Sequence, residues 1–395
     1  TYLCENNNIQ MEKLFISIFM LLSFSFFACQ PSNKQKGGSD ASVAQTESSK
    51  GDYIKLDYAK GFEVRKIADN IRLIDIHDPQ NERTEVYHLA FISSDANLSD
   101  IPAGYTPIRV PIKKAICMTS LQVSNFIKLN AYDYIAGTTS ARHLFNPEIK
   151  KRIKEKRIIK IGMEGNFDNE DIIAANPDVI LISPFKRGGY EALKDAGIPL
   201  IPHLGYKEMT PLGQAEWIKF VGMLIGQEEL AEQTFDGIAT KYNNLKQMVA
   251  NIDKRPTVFS GEIHGGNWYA VGGRSFLAQL IEDAGADYFL KEDEHSGGIN
   301  LDFETVYSQA EDADYWRIVN SFQGTFSYNA LKEEDARYAD FKAFKEKKVI
   351  YCNMRTTPFY EGMPVEPELV LSDLIKIFYP DLLPDYEPHY YELLP

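Results

Sequence analysis

The sequence predicts an α/β protein of two lobes, each a mainly parallel sheet flanked by helices, joined by a single long backbone helix and preceded by a strand-rich N-terminal extension. Three observations predict it. Short apolar runs alternate with helical stretches over residues 112–227 and again over 254–395, the pattern of parallel sheets covered by helices. Two stretches echo each other: Asp168-Asn169-Glu170-Asp171 opens a helix that leads past Asp178 into Val179-Ile180-Leu181-Ile182. Likewise Asp302-Phe303-Glu304-Thr305 opens one that leads past Asp314 into Tyr315-Trp316-Arg317-Ile318-Val319. A second, looser echo links residues 129–134 with 282–288. Two such units imply two similar lobes with a cleft between them. Finally, residues 228–251 run helical, interrupted only by Gly237, and at about 1.5 Å per residue span roughly 36 Å, the width of a small domain.

Each element follows in order. Residues 1–10 read as sequence upstream of an initiator at Met11, and 11–28 as a signal peptide: a weakly basic start, then an apolar run shorter than the roughly 20 residues a membrane span needs. It ends in Phe26-Phe27-Ala28-Cys29, which resembles the bacterial lipobox with Phe in place of the usual Leu, so Cys29 is the expected lipidation site. Residues 29–51, rich in Ser, Gln, Gly and Lys, form a flexible tether. No acidic run follows Cys29, which favours the periplasmic side. Residues 52–111 alternate apolar and polar positions between turn formers such as Asp78-Pro79-Gln80-Asn81, and predict a meander of strands.

The N-terminal lobe, 112–227, begins with the strand Ala115-Ile116-Cys117-Met118 and a helix after Thr119-Ser120. The basic helix at 146–157 reads as a solvated face. A helix after Pro211 ends at Gly226. The backbone helix linker occupies 228–253, and the C-terminal lobe, 254–395, opens with Thr257-Val258-Phe259-Ser260.

With 42 basic against 56 acidic residues and a net charge of −14, the chain argues against nucleic acid as a partner. Cys117 and Cys352 fall one in each lobe and read as buried free thiols. No metal-protease, P-loop, nucleophile-elbow or dinucleotide motif occurs. His143, His203, His264 and His295 show no metal-ligand spacing, so neither a protein-only metal site nor a cofactor is expected.

Ligands of open α/β sheets bind outside the carboxyl ends of the strands. The turns there supply Thr119, Ser120, Arg142, His143, Phe185, Lys186, Arg187 and Tyr206 in the first lobe. In the second they supply Glu262, His264, Trp268, Tyr269, Arg274, Met354 and Arg355. Aromatic rings beside Arg and His suit a large ligand that is partly apolar and partly anionic. Glycines here serve tight turns equally well, Trp268 serves equally well as core, and Glu170 and Glu304 suit a helix N-terminus.

The turn Cys117-Met118-Thr119-Ser120, residues 170–181, Thr210-Pro211-Leu212-Gly213-Gln214-Ala215-Glu216-Trp217, Gly272-Gly273-Arg274-Ser275-Phe276 and Glu304 together resemble the periplasmic substrate-binding proteins of ABC importers for iron–siderophore complexes, haem and cobalamin. The resemblance runs from about Ile108 to the C-terminus. It implies a non-enzymatic, membrane-anchored periplasmic lipoprotein that captures an iron chelate in an interlobe cleft and delivers it to an ABC permease dimer. It also implies that Glu170 and Glu304 are the permease-docking residues. Two departures stand out: the long segment before Arg109, and Ala313-Asp314-Tyr315-Trp316 where an Asn-Pro-Asp turn is common. Haem or cobalamin as the ligand, a free metal ion, and a secreted hydrolase using a carboxylate pair are the alternatives; Glu262 is the one clear cleft acid.

Overall fold

A computed structural model describes residues 51–395 except 82, 84, 140–141, 164–165 and 184–189. The signal peptide, Cys29 and the tether lie outside the described residues. Among the described residues no helix is long and apolar enough to cross a membrane.

The N-terminal lobe carries a five-stranded, all-parallel sheet in the order Leu200–Pro202, Val179–Ile182, Ala115–Cys117, Ile135–Thr138, Ile159–Lys160. The C-terminal lobe repeats the idea with Asp287–Tyr288, Thr257–Ser260, Tyr315–Asn320, Val349–Asn353 and Glu392–Leu393, parallel except for the last strand. The two-lobed α/β class is therefore as the sequence predicts. The helix Glu228–Val249 runs on from the first lobe to the second. It follows a turn at Gly226, whose φ of 71° suits the residue without a Cβ.

The echoes have a structural meaning. Asp168 and Asp302 are the N-caps of the helices Asn169–Ala175 and Phe303–Ala310, each accepting from the backbone N–H three residues on. Downstream, Asp178 accepts from the backbone N–H groups of Lys113 and Lys114, and Asp314 from that of Thr257. Each Asp thus pins the first strand of its own lobe to the fourth or third. The looser echo is a pair of helix ends: Asn130 (φ 53°) and Gly285 (φ 79°) turn left-handed while Ala131 and Ala286 donate to Phe126 and Ile281, five residues back.

The extension forms its own sheet from Asp52–Ile54, Phe62–Ala68, Ile71–Ile76, Tyr87–Ile92 and Thr106–Arg109 in sequence order. Its first four strands form the expected antiparallel meander, but the fifth lies parallel to the fourth, reached through the loop at 93–105. One face is covered by that loop, through Ile101 and Tyr105. The other joins the main core against the helix Pro211–Ile225, with Phe62 and Phe91 packed on Phe220 at 5.6 and 5.5 Å between ring centres.

Every residue of that helix is buried, including Glu216. Glu216 accepts from the backbone N–H groups of Asp57, Tyr58 and Ala59 at 2.7–3.0 Å and pairs with Lys219 at 3.1 Å. Glu208 accepts from Lys60 and Gly61 in the same way. The basic helix, Pro147–Lys154, is not simply a solvated face, since Arg152 is buried on Glu148 and Asp133. Cys117 and Cys352 are both free and buried.

Removing the Glu216 carboxylate strands three N–H groups and leaves the Lys219 ammonium with Glu232 as its one remaining carboxylate among the described residues. Glu216→Ala is expected to cost about 3–5 kcal/mol in denaturant unfolding. A loss below about 1 kcal/mol would show that the carboxylate does not hold the extension.

Candidate functional site

Two adjoining cavities open at the carboxyl end of the C-terminal sheet, where its strand order reverses around Thr257–Ser260. The first, about 270 Å³, is lined by Ser260, Glu262, His264, Tyr269, Arg317 and Tyr360 among others. The second, about 250 Å³, shares Val271, Leu277, Arg317, Phe359 and Tyr360 with the first. It also reaches Tyr206 and Glu208 of the N-terminal lobe and Gln80 of the extension. It is therefore a cleft between the lobes, and the extension supplies part of its wall: Gln80 is held there by donating to the carbonyl of Lys207 at 2.8 Å.

Arg317 lies at the centre. It projects from the strand Tyr315–Asn320, half-buried, with Nε donating to the Tyr391 hydroxyl at 2.7 Å and Nη1 to the Ser260 hydroxyl at 3.3 Å. Its guanidinium lies over the Tyr391 ring, 5.3 Å from the centroid. These bonds use two of its five N–H donors. Among the described residues no carboxylate pairs with it, so it is a partly desolvated cation whose counter-charge is not supplied by a neighbouring side chain.

Glu262 is the acid of the first cavity. Asn320 donates to its Oε1 at 2.9 Å, and the Asn320 amide is itself oriented by the Tyr351 hydroxyl and the Phe322 N–H, both donating to Oδ1. Burial, aided by the charge of Glu334 and opposed by the Asn320 bond, pushes the Glu262 carboxyl up to about 7.

Of the residues singled out in the sequence, Glu262, His264 and Tyr269 meet at the first cavity and Tyr206 lines the second. His143 packs edge-on to Tyr360, 5.7 Å between ring centres. Trp268 does not join them. The Gly265-Gly266 turn closes a hairpin between Glu262–His264 and Asn267–Val271, so alternation sends Trp268 inward. There it is fully buried among Phe259, Trp316, Tyr338 and Phe341, its indole N–H donating to the carbonyl of Ser260.

Thr119 is spent on a capping box with Gln122, directly before Ser120, the first residue of its helix. Arg274 is exposed and bonded to Glu294, Met354 donates its N–H to the carbonyl of Asn320, and Arg355 is exposed. Arg142 is exposed, and none of these six lines either cavity. Phe185, Lys186 and Arg187 lie outside the described residues. Glu170 and Glu304 are exposed at the same place, two residues after the N-caps Asp168 and Asp302. Glu304 lies 3.9 Å from Arg337. Sequence reasoning missed Arg317, Phe359, Tyr360 and Gln80. The available signal was a lone charge inside the apolar run Tyr315-Trp316-Arg317-Ile318-Val319.

The family model described as periplasmic binding protein matches residues 116–356, more than half of the chain. An uncharacterised lipoprotein of Methanocaldococcus jannaschii is 24% identical over 303 residues, covering 73% of this chain and 70% of that protein. A TroA-like periplasmic binding protein from Veillonella parvula superposes with a TM-score of 0.54 at 20% identity, over 72% of this chain and 95% of that one. A protein of an ABC-type Fe3+-hydroxamate transport system from Saccharomonospora viridis gives 0.53 at 19%, over 68% and 94%.

The Glu262 carboxyl carries a pH signature. Unfolded, it titrates near its ordinary 4.5; folded, near 7. Between these values the native state holds the extra proton, so its contribution to stability is full below about pH 4.5, falls as pH rises to about 7 and is flat beyond. Glu262→Gln is expected to remove this decline, seen as a smaller melting-temperature drop between about pH 5 and about pH 8. An unchanged drop would place the titration elsewhere.

Proposed function

Because the chain belongs to the periplasmic binding protein family, whose members are transport receptors that deliver small molecules to ABC permeases, we propose that it captures an anionic iron chelate of the siderophore type in the interlobe cleft. The observation that carries this reading is Arg317, a half-buried cation without a carboxylate partner among the described residues, walled by Phe359, Tyr360 and Tyr391. A guanidinium gives charge-assisted, bidentate bonds to an anionic oxygen, and the rings accept the flat apolar parts of a chelator. The Saccharomonospora viridis neighbour, whose system transports Fe3+-hydroxamate, is in keeping with it. Among the described residues no three His, Cys, Asp or Glu side chains converge as a metal-ligand group. Lipidation at Cys29 would anchor the receptor at the membrane, as the lipoprotein relative suggests.

Protein isolated from an iron-replete native host tests the ligand class through its absorption spectrum. A ferric–catecholate or ferric–hydroxamate charge-transfer band is expected, whereas a haem Soret band or a corrin spectrum would replace the chelate reading. Arg317→Ala should weaken binding of that chelate by about 1.5–3 kcal/mol. Wild-type affinity in a folded variant would move the site away from Arg317.

Glu170 and Glu304 are proposed as the permease-docking pair. Because Asp168 and Asp302 already cap the two helices, the glutamates are not needed as caps, and exposed rim charges govern docking more than folding. The double variant Glu170→Ala/Glu304→Ala should melt and bind chelate nearly as wild type, yet fail in uptake with the cognate importer. Normal uptake, or a loss that merely tracks a stability drop of about 0.5–1 kcal/mol per site, would end the docking role.

A further inference from the structure

The short helix Phe359–Gly362 faces two ways. Phe359 and Tyr360 wall both cavities, while Glu361 beside them is buried against the opposite lobe. Its Oε2 accepts from the backbone N–H of Phe145 at 2.6 Å and of Asn146 at 3.1 Å. A single oxygen thus takes both donors, which leaves the loop little freedom to slide. Asn146 in turn caps the helix Pro147–Lys154, accepting from Glu148 and Ile149, so the tie is transmitted into a regular element. Directly upstream, His143 packs its ring on Tyr360, the neighbour of Glu361.

A second contact lies a few residues on. Glu366 pairs with Lys128 of the N-terminal lobe at 2.9 Å and accepts from the Tyr390 hydroxyl at 2.6 Å. Lys128 and Glu366 are each about a quarter exposed, so water screens their attraction more than that of the buried carboxylate. Phe145 and Asn146 meanwhile have given their N–H groups to Glu361, and burial makes that bond costly to leave unmade.

We propose that Glu361 is a positioning residue: through Phe145 and Asn146 it fixes the N-terminal-lobe loop 142–146 on the helix that lines the cleft, and so sets the separation of the lobes at its mouth. The proposal rests on the cleft reading above for its bearing on ligand capture. The tie itself is tested without ligand, so its failure and the failure of the chelate reading are separate results. Its consequence is that the two walls of the site move as one body on the Tyr360 side.

Spin labels on Lys194→Cys and Lys332→Cys, exposed positions on the two lobes, report the interlobe distance by pulsed dipolar spectroscopy. Cys117 and Cys352 are buried, and Cys4 and Cys29 are changed to serine in every variant, so labelling goes to the introduced thiols. Wild type should give one narrow distribution. Glu361→Ala should broaden it and move it to longer distance, and Glu361→Gln, which keeps a carbonyl oxygen for the two N–H groups, should restore it. That rescue separates positioning from a general loss of packing. A wild-type distribution in folded Glu361→Ala overturns the proposal, as does broadening in Glu361→Gln equal to that in Glu361→Ala. If Glu361→Ala does not fold, Glu361→Asp takes its place: retracting the oxygen by one methylene must broaden the distribution, and an unchanged one overturns the proposal.

Discussion

Five consecutive backbone N–H groups, from Asp57 to Gly61, are bound by two buried carboxylates, Glu208 and Glu216. The docking of the extension on the N-terminal lobe depends on this contact. Irregular backbone packed against a core needs acceptors for its donors, and here the acceptors come from more than 140 residues away in sequence. The carboxylates are themselves provided for. Trp217 donates its indole N–H to Glu208, and Lys219 bridges Glu216 to Glu232 of the backbone helix. Gly61 makes the approach possible, because a Cβ there would lie 2.9 Å from the Trp217 ring. The extension, the buried helix and the backbone helix therefore share one polar core. Since Glu208 also faces the second cavity, that core reaches the wall of the cleft.

The lobes repeat a small set of local solutions. A left-handed residue ends the first helix, an Asp caps a later one, and a second Asp returns to hold the first strand of the lobe. None of these contacts touches the cavities. They fix where the strand ends fall, and the side chains that project from those ends differ between lobes.

The elements were legible because their signals are local. Asp168, Asp302 and Thr119 are caps with side-chain bonds to the turn that follows, and apolar runs such as Val179-Ile180-Leu181-Ile182 have no other place than a buried strand. The site was legible only in part. Glu262, His264 and Tyr269 lie close in sequence and stayed together; Tyr206 and Arg317 are brought together by the packing of the lobes, which no local pattern records. Trp268 was misplaced because a strand end and a tight hairpin share the same glycine signal, yet the hairpin turns alternate residues inward. Gln80 could not be found from the sequence, since its place depends on the Glu208 and Glu216 contacts that dock the extension.

In the proposed reading, Arg317 also links occupancy to stability. A half-buried guanidinium with no carboxylate pair among the described residues is a cost to the folded chain that the proposed anionic ligand would relieve. Whatever supplies that anion binds the native state and has no equivalent site on the unfolded one. It therefore raises the free energy of unfolding in proportion to the logarithm of its concentration, by about 2.7 kcal/mol at a hundredfold excess over the dissociation constant. On that proposed reading, thermal resistance is a readout of cargo, and a collection of anionic chelates would be ranked by how far each one shifts the melting of the whole chain.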